Sequence, residues 1–283
     1  MTVSVKLEML RVGACRHFEC LAARGGRLSP VDFPALCGLI RHPEFGWILY
    51  DTGYADHLFD ATEHWPERLY RTAVPVTLPA SERLDVQLAK FGITPLDISI
   101  VIISHYHGDH VAGLKDFPNA RFIALRADSN EIEALKGRRW LSTIKGNLPG
   151  LLPTDFVSRL EEADGCAART LPGWMKPFDR GVDLLGDGSL LGVPLPGHSR
   201  GQLGVFVPDA NGRPAFLVAD ACWSLPACKE GRLPSRLTLF IAADGRQLRQ
   251  TFFGLQAMSL REPAIALLPS HCPVAWKDYC DGG

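Results

Sequence analysis

The sequence lacks the features that mark several classes of protein. Its eight cysteines include no CxxC pair, and no apolar run approaches the roughly 20 residues of a membrane-spanning helix. The formal net charge is -1 at pH 7, and no basic stripe stands out, so nucleic acid is not an expected partner. The first residues show no basic segment followed by an apolar one, which argues against a secretory signal. We therefore expect a cytoplasmic protein with reduced thiols that binds neither nucleic acid nor membrane.

The 283 residues can bury a large core, and no linker rich in Gly, Ser or Pro divides them. We expect one α/β domain over 1–283. Residues 3–12 alternate as a strand does, 35–41 and 46–50 read as a hairpin, and Ser81 is expected to cap a helix over 82–91. Further strands are expected over 98–103, 120–125, 182–185, 190–193, 203–207, 215–219 and 264–268, with helices over 129–135 and 245–260. Loop or helical insertions are expected at about 54–80, 137–180 and 223–240.

What the sequence does contain is a dense group of metal-capable side chains, His105-Tyr106-His107-Gly108-Asp109-His110. Alternate residues of an extended segment point the same way, so His105 and His107 can bind one ion together. Asp109 and His110 come where the chain turns into a helix, and they can face a second ion. Imidazoles packed together without a metal would repel one another when protonated. The segment therefore predicts a metal site.

Four more polar residues follow predicted strands. Asp51 follows 46–50, His198 follows 190–193, Asp220 follows 215–219 and His271 follows 264–268. Ligands gather at the carboxyl ends of strands in α/β sheets, so these loops are expected to converge on the histidine segment. His198 would then complete the first metal site and His271 the second, and Asp220 could bridge both ions.

Imidazole and carboxylate ligands suit zinc, iron or manganese rather than calcium or magnesium. We expect two divalent ions, with zinc first and iron or manganese as alternatives. Such a cluster keeps a net positive charge even with a bridging hydroxide, which favours a metal-bound nucleophile and stabilises a developing oxyanion. A metal-bound nucleophile and a stabilised oxyanion are what a metal-dependent hydrolase requires.

The motifs resemble those of the metallo-β-lactamase superfamily of metallohydrolases. The matching pieces are Asp51-Thr52-Gly53, Ser104 to His110, Pro196-Gly197-His198, Ala219-Asp220 and Ser270-His271. The resemblance implies a four-layer αβ/βα sandwich of two mixed β-sheets with the metal site along one edge. It also implies that His105, His107 and His198 bind one ion, that Asp109, His110 and His271 bind the other, that Asp220 bridges, and that Asp51 supports the ligands from behind.

Within that superfamily, Gly197-His198-Ser199-Arg200-Gly201 is similar to a stretch of glyoxalase II and of N-acyl homoserine lactonases. Lactonases commonly carry a tyrosine three residues after the bridging aspartate, and Trp223 stands there in this chain. Indole can donate a hydrogen bond but cannot act as an acid as phenol does. Trp223, Tyr54 and Phe59 are the expected substrate contacts, within a wider aromatic set in the three insertions that also holds Trp65, Trp140, Trp174, Phe178 and Phe240.

The expected reaction is hydrolysis of a small lactone, ester or thioester by a metal-bridging hydroxide, with Asp109 moving the proton and Asp220 holding both ions. Two alternatives stay open. One is a mononuclear-iron dioxygenase of the same superfamily, and the other is a non-catalytic metal-binding accessory or sensor protein. The expected partner is a small molecule, and the sequence is compatible with a homodimer.

Overall fold

The computed structural model describes residues 3–282. No helix in that range combines the length and the apolar character needed to cross a membrane. The strands are β1 (Lys6–Phe18), β2 (Pro30–His42), β3 (Gly46–Tyr50), β4 (Val76–Thr77), β5 (Ile98–Ile102), β6 (Arg121–Ala124), β7 (Leu160–Glu162), β8 (Ala167–Thr170), β9 (Arg180–Asp183), β10 (Leu191–Pro194), β11 (Leu203–Ala210), β12 (Arg213–Ala219) and β13 (Ala266–Pro269).

The α-helices are mostly short. They are α1 (Glu19–Ala22), α2 (Asp56–Ala61), α3 (Arg68–Ala73), α4 (Leu84–Ala89), α5 (Gly108–Val111), α6 (Arg126–Leu135), α7 (Arg139–Ile144), α8 (Phe156–Arg159), α9 (Leu225–Lys229), α10 (Arg236–Ile241), α11 (Gly245–Arg261) and α12 (Pro273–Asp281). The longest, α11, is capped at its N-terminus by Asp244, whose carboxylate accepts hydrogen bonds from the backbone N–H groups of Arg246 and Gln247.

The strands form two mixed sheets. The first has the order β4-β1-β2-β3-β5-β6-β7, in which β3, β5, β6 and β7 run parallel. The second has the order β13-β12-β11-β10-β9-β8, in which only the pair β12 and β13 is parallel. Because successive side chains of a strand point to opposite faces, each sheet can bury both of its faces.

Three apolar layers follow from that alternation. Leu49 on β3 packs outward with the helices of the first sheet, whereas its neighbours Ile48 and Tyr50 point inward between the two sheets. Phe216 on β12 points outward to α11, and Leu217 points inward. The result is helix, sheet, sheet, helix, so the expected four-layer sandwich is confirmed.

Local predictions differ from the structure in two places. Ser81 does not cap a helix, because it lies in a 3₁₀ turn over Ala80–Glu82, and α4 begins only at Leu84. The segment 137–180 is more than an insertion, since it supplies β7 to the edge of the first sheet and β8 to the edge of the second. Both edge strands are short, and β7 is half-buried while β8 is exposed throughout, so their sequences lack the apolar alternation by which strands are recognised.

Candidate metal centre

Strand ends bring the candidate ligands together. Asp51 follows β3, the histidine segment follows β5, His198 lies beyond β10, Asp220 follows β12 and His271 lies beyond β13. The backbone is strained where two of these carboxylates stand: Asp51 has φ 61° and Ala219, just before Asp220, has φ 45°. A left-handed conformation at a residue other than glycine costs free energy and is characteristic of functional sites.

The first group of ligands comprises His105, His107 and His198. His107 Nδ1 lies 3.0 Å from His105 Nε2 and 3.0 Å from His198 Nε2. Tyr106, between the first two, points the opposite way, and its hydroxyl meets Ser129 Oγ at 2.8 Å. The alternation expected from an extended segment is therefore present, and three nitrogen atoms face a common point.

The second group comprises Asp109, His110 and His271. His271 Nε2 lies 3.2 Å from Asp109 Oδ2, and His110 Nε2 lies 3.6 Å from that same oxygen. His110 and His271 are buried, and Asp109 is nearly so. The six side chains of the two groups thus form two adjacent sets of potential metal ligands.

Asp220 stands between the two groups. Its Oδ2 lies 3.3 Å from His198 Nε2 in the first group. Its Oδ1 lies 3.4 Å from His110 Nε2 and 3.2 Å from His271 Nε2 in the second. One carboxylate therefore offers a separate oxygen to each group, which is the geometry that a bridging ligand requires.

The groups behind the ligands fix which nitrogen is free. Asp51 Oδ2 can only accept, so His110 Nδ1 donates to it at 2.7 Å and leaves Nε2 with a lone pair. Ser104 Oγ also donates to Asp51 Oδ2, at 2.8 Å, and therefore accepts from His105 Nδ1 at 3.0 Å. His271 Nδ1 donates to the Pro34 carbonyl at 2.7 Å. In all three histidines the Nε2 lone pair is left for the centre.

Two atoms at the centre show that these residues fit metal ions. His110 Nε2 and Asp220 Oδ1 are fully buried, and neither has a hydrogen-bond partner within 3–282. Buried polar atoms are normally paired, so an unpaired lone pair facing a carboxylate oxygen is suited to a cation. Five imidazoles and two carboxylates at the centre match the ligands of zinc, iron or manganese.

The pKa values of the histidines shift in opposite directions in the two groups. Burial lowers the pKa of His105, His107 and His198, to about 3 for His198, so these rings are neutral and ready to coordinate at pH 7. Burial also opposes protonation of His110, but Asp109, Asp51 and Asp220 outweigh it and raise its pKa well above the usual value. A metal ion at the second group would therefore compete with a proton for His110.

The expected substrate contacts occupy three different environments. The Trp223 ring lies over the centre, with its centroid 5.3 Å from the His271 ring and 6.1 Å from the His198 ring. Tyr54, by contrast, is only 1% exposed and packs in the core outside the first sheet. The prediction that it contacts the substrate directly is therefore wrong. Phe59 is half-buried on α2, under the Arg71 guanidinium at 5.8 Å.

The wider set of aromatics separates in the same way. Trp174 and Phe178 pack on the outer face of the second sheet, against Phe206 and Phe216 respectively, and not at the centre. The expectation that they line the site is wrong, because the chain from 166 to 183 runs along that sheet as β8 and β9.

Several supporting residues were missed from the sequence. Ser104 joins Asp51 to two histidines, and Asp128 accepts hydrogen bonds from Ser199 Oγ and Gly201 N, both at 2.7 Å, which holds the loop after His198. Ser104 directly precedes the histidine segment, and its position there was the one available signal. Asp128 lies in a helix with no motif around it, so only the folded chain reveals its contact.

Comparisons with known proteins agree with this geometry. The family described as the metallo-beta-lactamase superfamily matches residues 30–212. The N-acyl homoserine lactonase AttM of Rhizobium radiobacter is 26% identical over 277 residues, which cover 97% of this chain and 96% of AttM. The lactonase AiiB of Agrobacterium fabrum is 29% identical over 206 residues, 69% of this chain and 65% of AiiB.

Solved structures show the same fold. An N-acyl homoserine lactone hydrolase, with the product N-hexanoyl-L-homoserine at its catalytic metal centre, superposes with a TM-score of 0.70 at 18% identity and covers 98% of this chain and 97% of its own. AidC, a dizinc quorum-quenching lactonase, gives a TM-score of 0.61 at 17% identity over 97% and 90% of the two chains. The matched family, the sandwich and the paired ligand groups together establish that this chain belongs to the metallo-β-lactamase superfamily, as a metal-dependent hydrolase.

Proposed function

We propose that the protein is a dinuclear metal-dependent lactonase that opens the ring of a small acylated lactone. The observation that carries the proposal is the position of Asp220, whose two oxygens lie 3.2–3.4 Å from nitrogens of two different ligand groups. When bound, two divalent ions would supply a hydroxide nucleophile at neutral pH and polarise the substrate carbonyl. The named activity of AttM and AiiB supports a lactone as the substrate.

The residues have separate roles in this proposal. His105, His107 and His198 would hold one ion, Asp109, His110 and His271 would hold the other, and Asp220 would contribute one oxygen to each. Burial opposes ionisation of Asp109, yet His110 and His271 keep its pKa below the usual value, so the carboxylate is ionised and can accept a proton during the reaction. Trp223 covers the centre and excludes water from one side.

Exposed apolar side chains on two helices support an acyl chain as part of the substrate. On α7, Trp140 is 59% and Ile144 70% exposed, and on α10, Phe240 is 85% exposed. Both helices adjoin ligand loops: an atom at the Cβ position of Gly146, just after α7, would lie 3.1 Å from the His107 ring, and Ala243 N, just after α10, donates to the His198 carbonyl at 3.2 Å. An apolar chain leaving the centre between them would cover these side chains.

The test is a hydrolysis panel on protein of measured metal content. It contains N-acyl homoserine lactones of four to twelve acyl carbons, simple lactones, acyl thioesters, glutathione thioesters and a chromogenic β-lactam. We expect two ions per chain, zinc before iron or manganese, and kcat/KM for lactones that rises at least about tenfold from the shortest to the longer chains, since each buried methylene contributes about 0.8 kcal/mol. The oligomeric state, for which a homodimer stays a prediction, is measured on the same sample.

Variants sharpen the test. Asp220→Ala should lose at least one ion and reduce turnover to background, because neither group then has its shared carboxylate. Phe240→Ser should reduce the chain-length dependence, whereas Val157→Ser, which alters an exposed apolar residue on α8, should not. Near-normal turnover by a metal-replete Asp220→Ala variant would contradict the dinuclear site. A β-lactam as the sole good substrate, one iron with oxygen uptake, or no bound metal would each contradict the lactonase.

A further inference from the structure

Tyr70 places a phenol beside the ligand segment. An atom at the Cβ position of Gly108 would lie 3.1 Å from Tyr70 Oη. Gly108 stands between His107 and Asp109, so the hydroxyl reaches the segment at the one position where no side chain intervenes. Tyr70 comes from α3, in the segment 54–80 that the sequence predicted to be an insertion carrying substrate contacts.

Two more protic side chains stand with it. Tyr54 lies beside both Tyr70 and Cys15. Tyr54 Oη is fully buried and has no hydrogen-bond partner within 3–282. Tyr70 is half-buried, so its side chain is partly open to solvent beside the ligand segment. Buried hydroxyls are normally paired, and this cluster therefore has donor capacity that the protein itself does not use.

The cluster and Trp223 lie near different ligands. Trp223 packs on His198 and His271. Among the carboxylates, Asp109 has the largest electrostatic effect on Tyr70. A phenol keeps its proton at neutral pH and can donate a hydrogen bond. The indole at 223 offers only a weak N–H donor.

We propose that Tyr70 donates a hydrogen bond to the leaving oxygen of the substrate, and that Tyr54 behind it is a positioning residue for the Tyr70 hydroxyl. The proposal rests on the proposed lactonase function. As the acyl–oxygen bond breaks, negative charge develops on the leaving oxygen, and a hydrogen bond from Tyr70 stabilises that charge without transfer of the phenolic proton. Asp109 remains the group that moves a proton.

The experiment compares Tyr70→Phe with Tyr279→Phe in the full-length, metal-loaded protein. Tyr279 bonds to Asn211 Nδ2 at 3.1 Å on α12, so its variant controls for loss of a phenol outside the site. Each variant is assayed with a lactone, whose alkoxide leaves poorly, and with a 4-nitrophenyl ester of the same acyl group, whose leaving group needs no donor. Metal content, the midpoint of thermal unfolding and calorimetric binding of the ring-opened product are measured alongside.

We expect Tyr70→Phe to lower kcat for the lactone about 10- to 100-fold and kcat for the nitrophenyl ester less than about threefold. Product binding should weaken about three- to tenfold, as for loss of one hydrogen bond, with unchanged metal content. Equal losses on both substrates, unchanged lactone turnover or unchanged product binding would each overturn the role of Tyr70. A wild-type protein that binds metal but opens no lactone would overturn the lactonase function itself, and this proposal with it.

Discussion

His110 Nδ1 and Asp51 Oδ2 lie 2.7 Å apart, both fully buried, and Ser104 Oγ donates to the same oxygen at 2.8 Å. Asp51→Asn replaces an oxygen that accepts twice with an amide that cannot do so. We expect metal affinity at the second group to fall about 10- to 100-fold, as is usual when the partner of a ligating histidine is removed. Competition with a chromogenic chelator measures the affinity.

The control for that change is Asp116→Asn. Asp116 bonds to His57 Nε2 at 2.8 Å, but this pair is solvent-exposed and lies outside the centre. It should bind metal as the wild type does. An Asp51→Asn variant with wild-type affinity for both ions would refute the supporting role of Asp51.

Gly197 lets the His198 loop approach α11. Its φ is 133°, and an atom at its Cβ position would lie 2.1 Å from Leu248 N, a backbone atom that cannot move aside cheaply. Gly197→Ala should therefore lower the free energy of unfolding by more than about 3 kcal/mol and should weaken the first metal group. Urea unfolding measures the first effect and metal content the second.

Gly150→Ala serves as its counterpart, since nothing lies within 4 Å of that Cβ position. It should change the free energy of unfolding by no more than about 0.5 kcal/mol. If Gly197→Ala behaved in the same way, the close approach of loop and helix would not be a constraint on this chain.

Asp128 predicts a pH dependence of stability. Burial raises its pKa from 3.8 to about 6, although Ser199 and Gly201 donate to the carboxylate. An acid whose folded pKa lies above its unfolded value stabilises the fold while protonated, and that contribution is lost as the pH rises through the folded pKa. Between pH 5 and 7.5 this carboxyl group alone should therefore lower the free energy of unfolding by about 1 kcal/mol.

Asp128→Asn mimics the protonated acid, because its oxygen can accept from Gly201 N while its amide donates to Ser199 Oγ. The free energy of unfolding of the wild type, relative to this variant, should fall between pH 5 and 7.5 in urea titrations. A difference that stays constant, or that rises with pH, would show that Asp128 does not carry the raised pKa.

The metal-capable residues could be identified from the sequence because each lies where a predicted apolar strand ends. The order of strands and the convergence of their carboxyl ends are consequences of sheet packing that such patterns capture. Tyr54 was interpreted wrongly for the same reason that it was noticed. An aromatic residue soon after Asp51 reads as a cleft residue, but the chain turns inward there, and the ring is buried beneath α3 and β1.

Tyr70, Asp128 and the Pro34 carbonyl could not be predicted at all. They belong to elements distant in sequence from the residues they contact, and those contacts depend on how short helices and loops pack. Neither hydrophobic periodicity nor metal-ligand spacing contains that information. The edge strands β7 and β8 were not predicted because strands as exposed as these bury too little apolar surface to leave a pattern.

The two helices proposed to contact the acyl chain adjoin the loops that carry His107 and His198. The exposed apolar side chains of α7 and α10 lie within a few residues of two contacts. One is Gly146 against His107, and the other is the hydrogen bond between Ala243 and His198. Laboratory evolution toward longer or shorter acyl chains would therefore face a trade-off. Substitutions in α7 or α10 that change the preferred chain length would also loosen His107 or His198. Variants selected for a new chain length should need more metal in the medium, and second-site changes that recover metal retention should fall at residues 145–147 and 242–244.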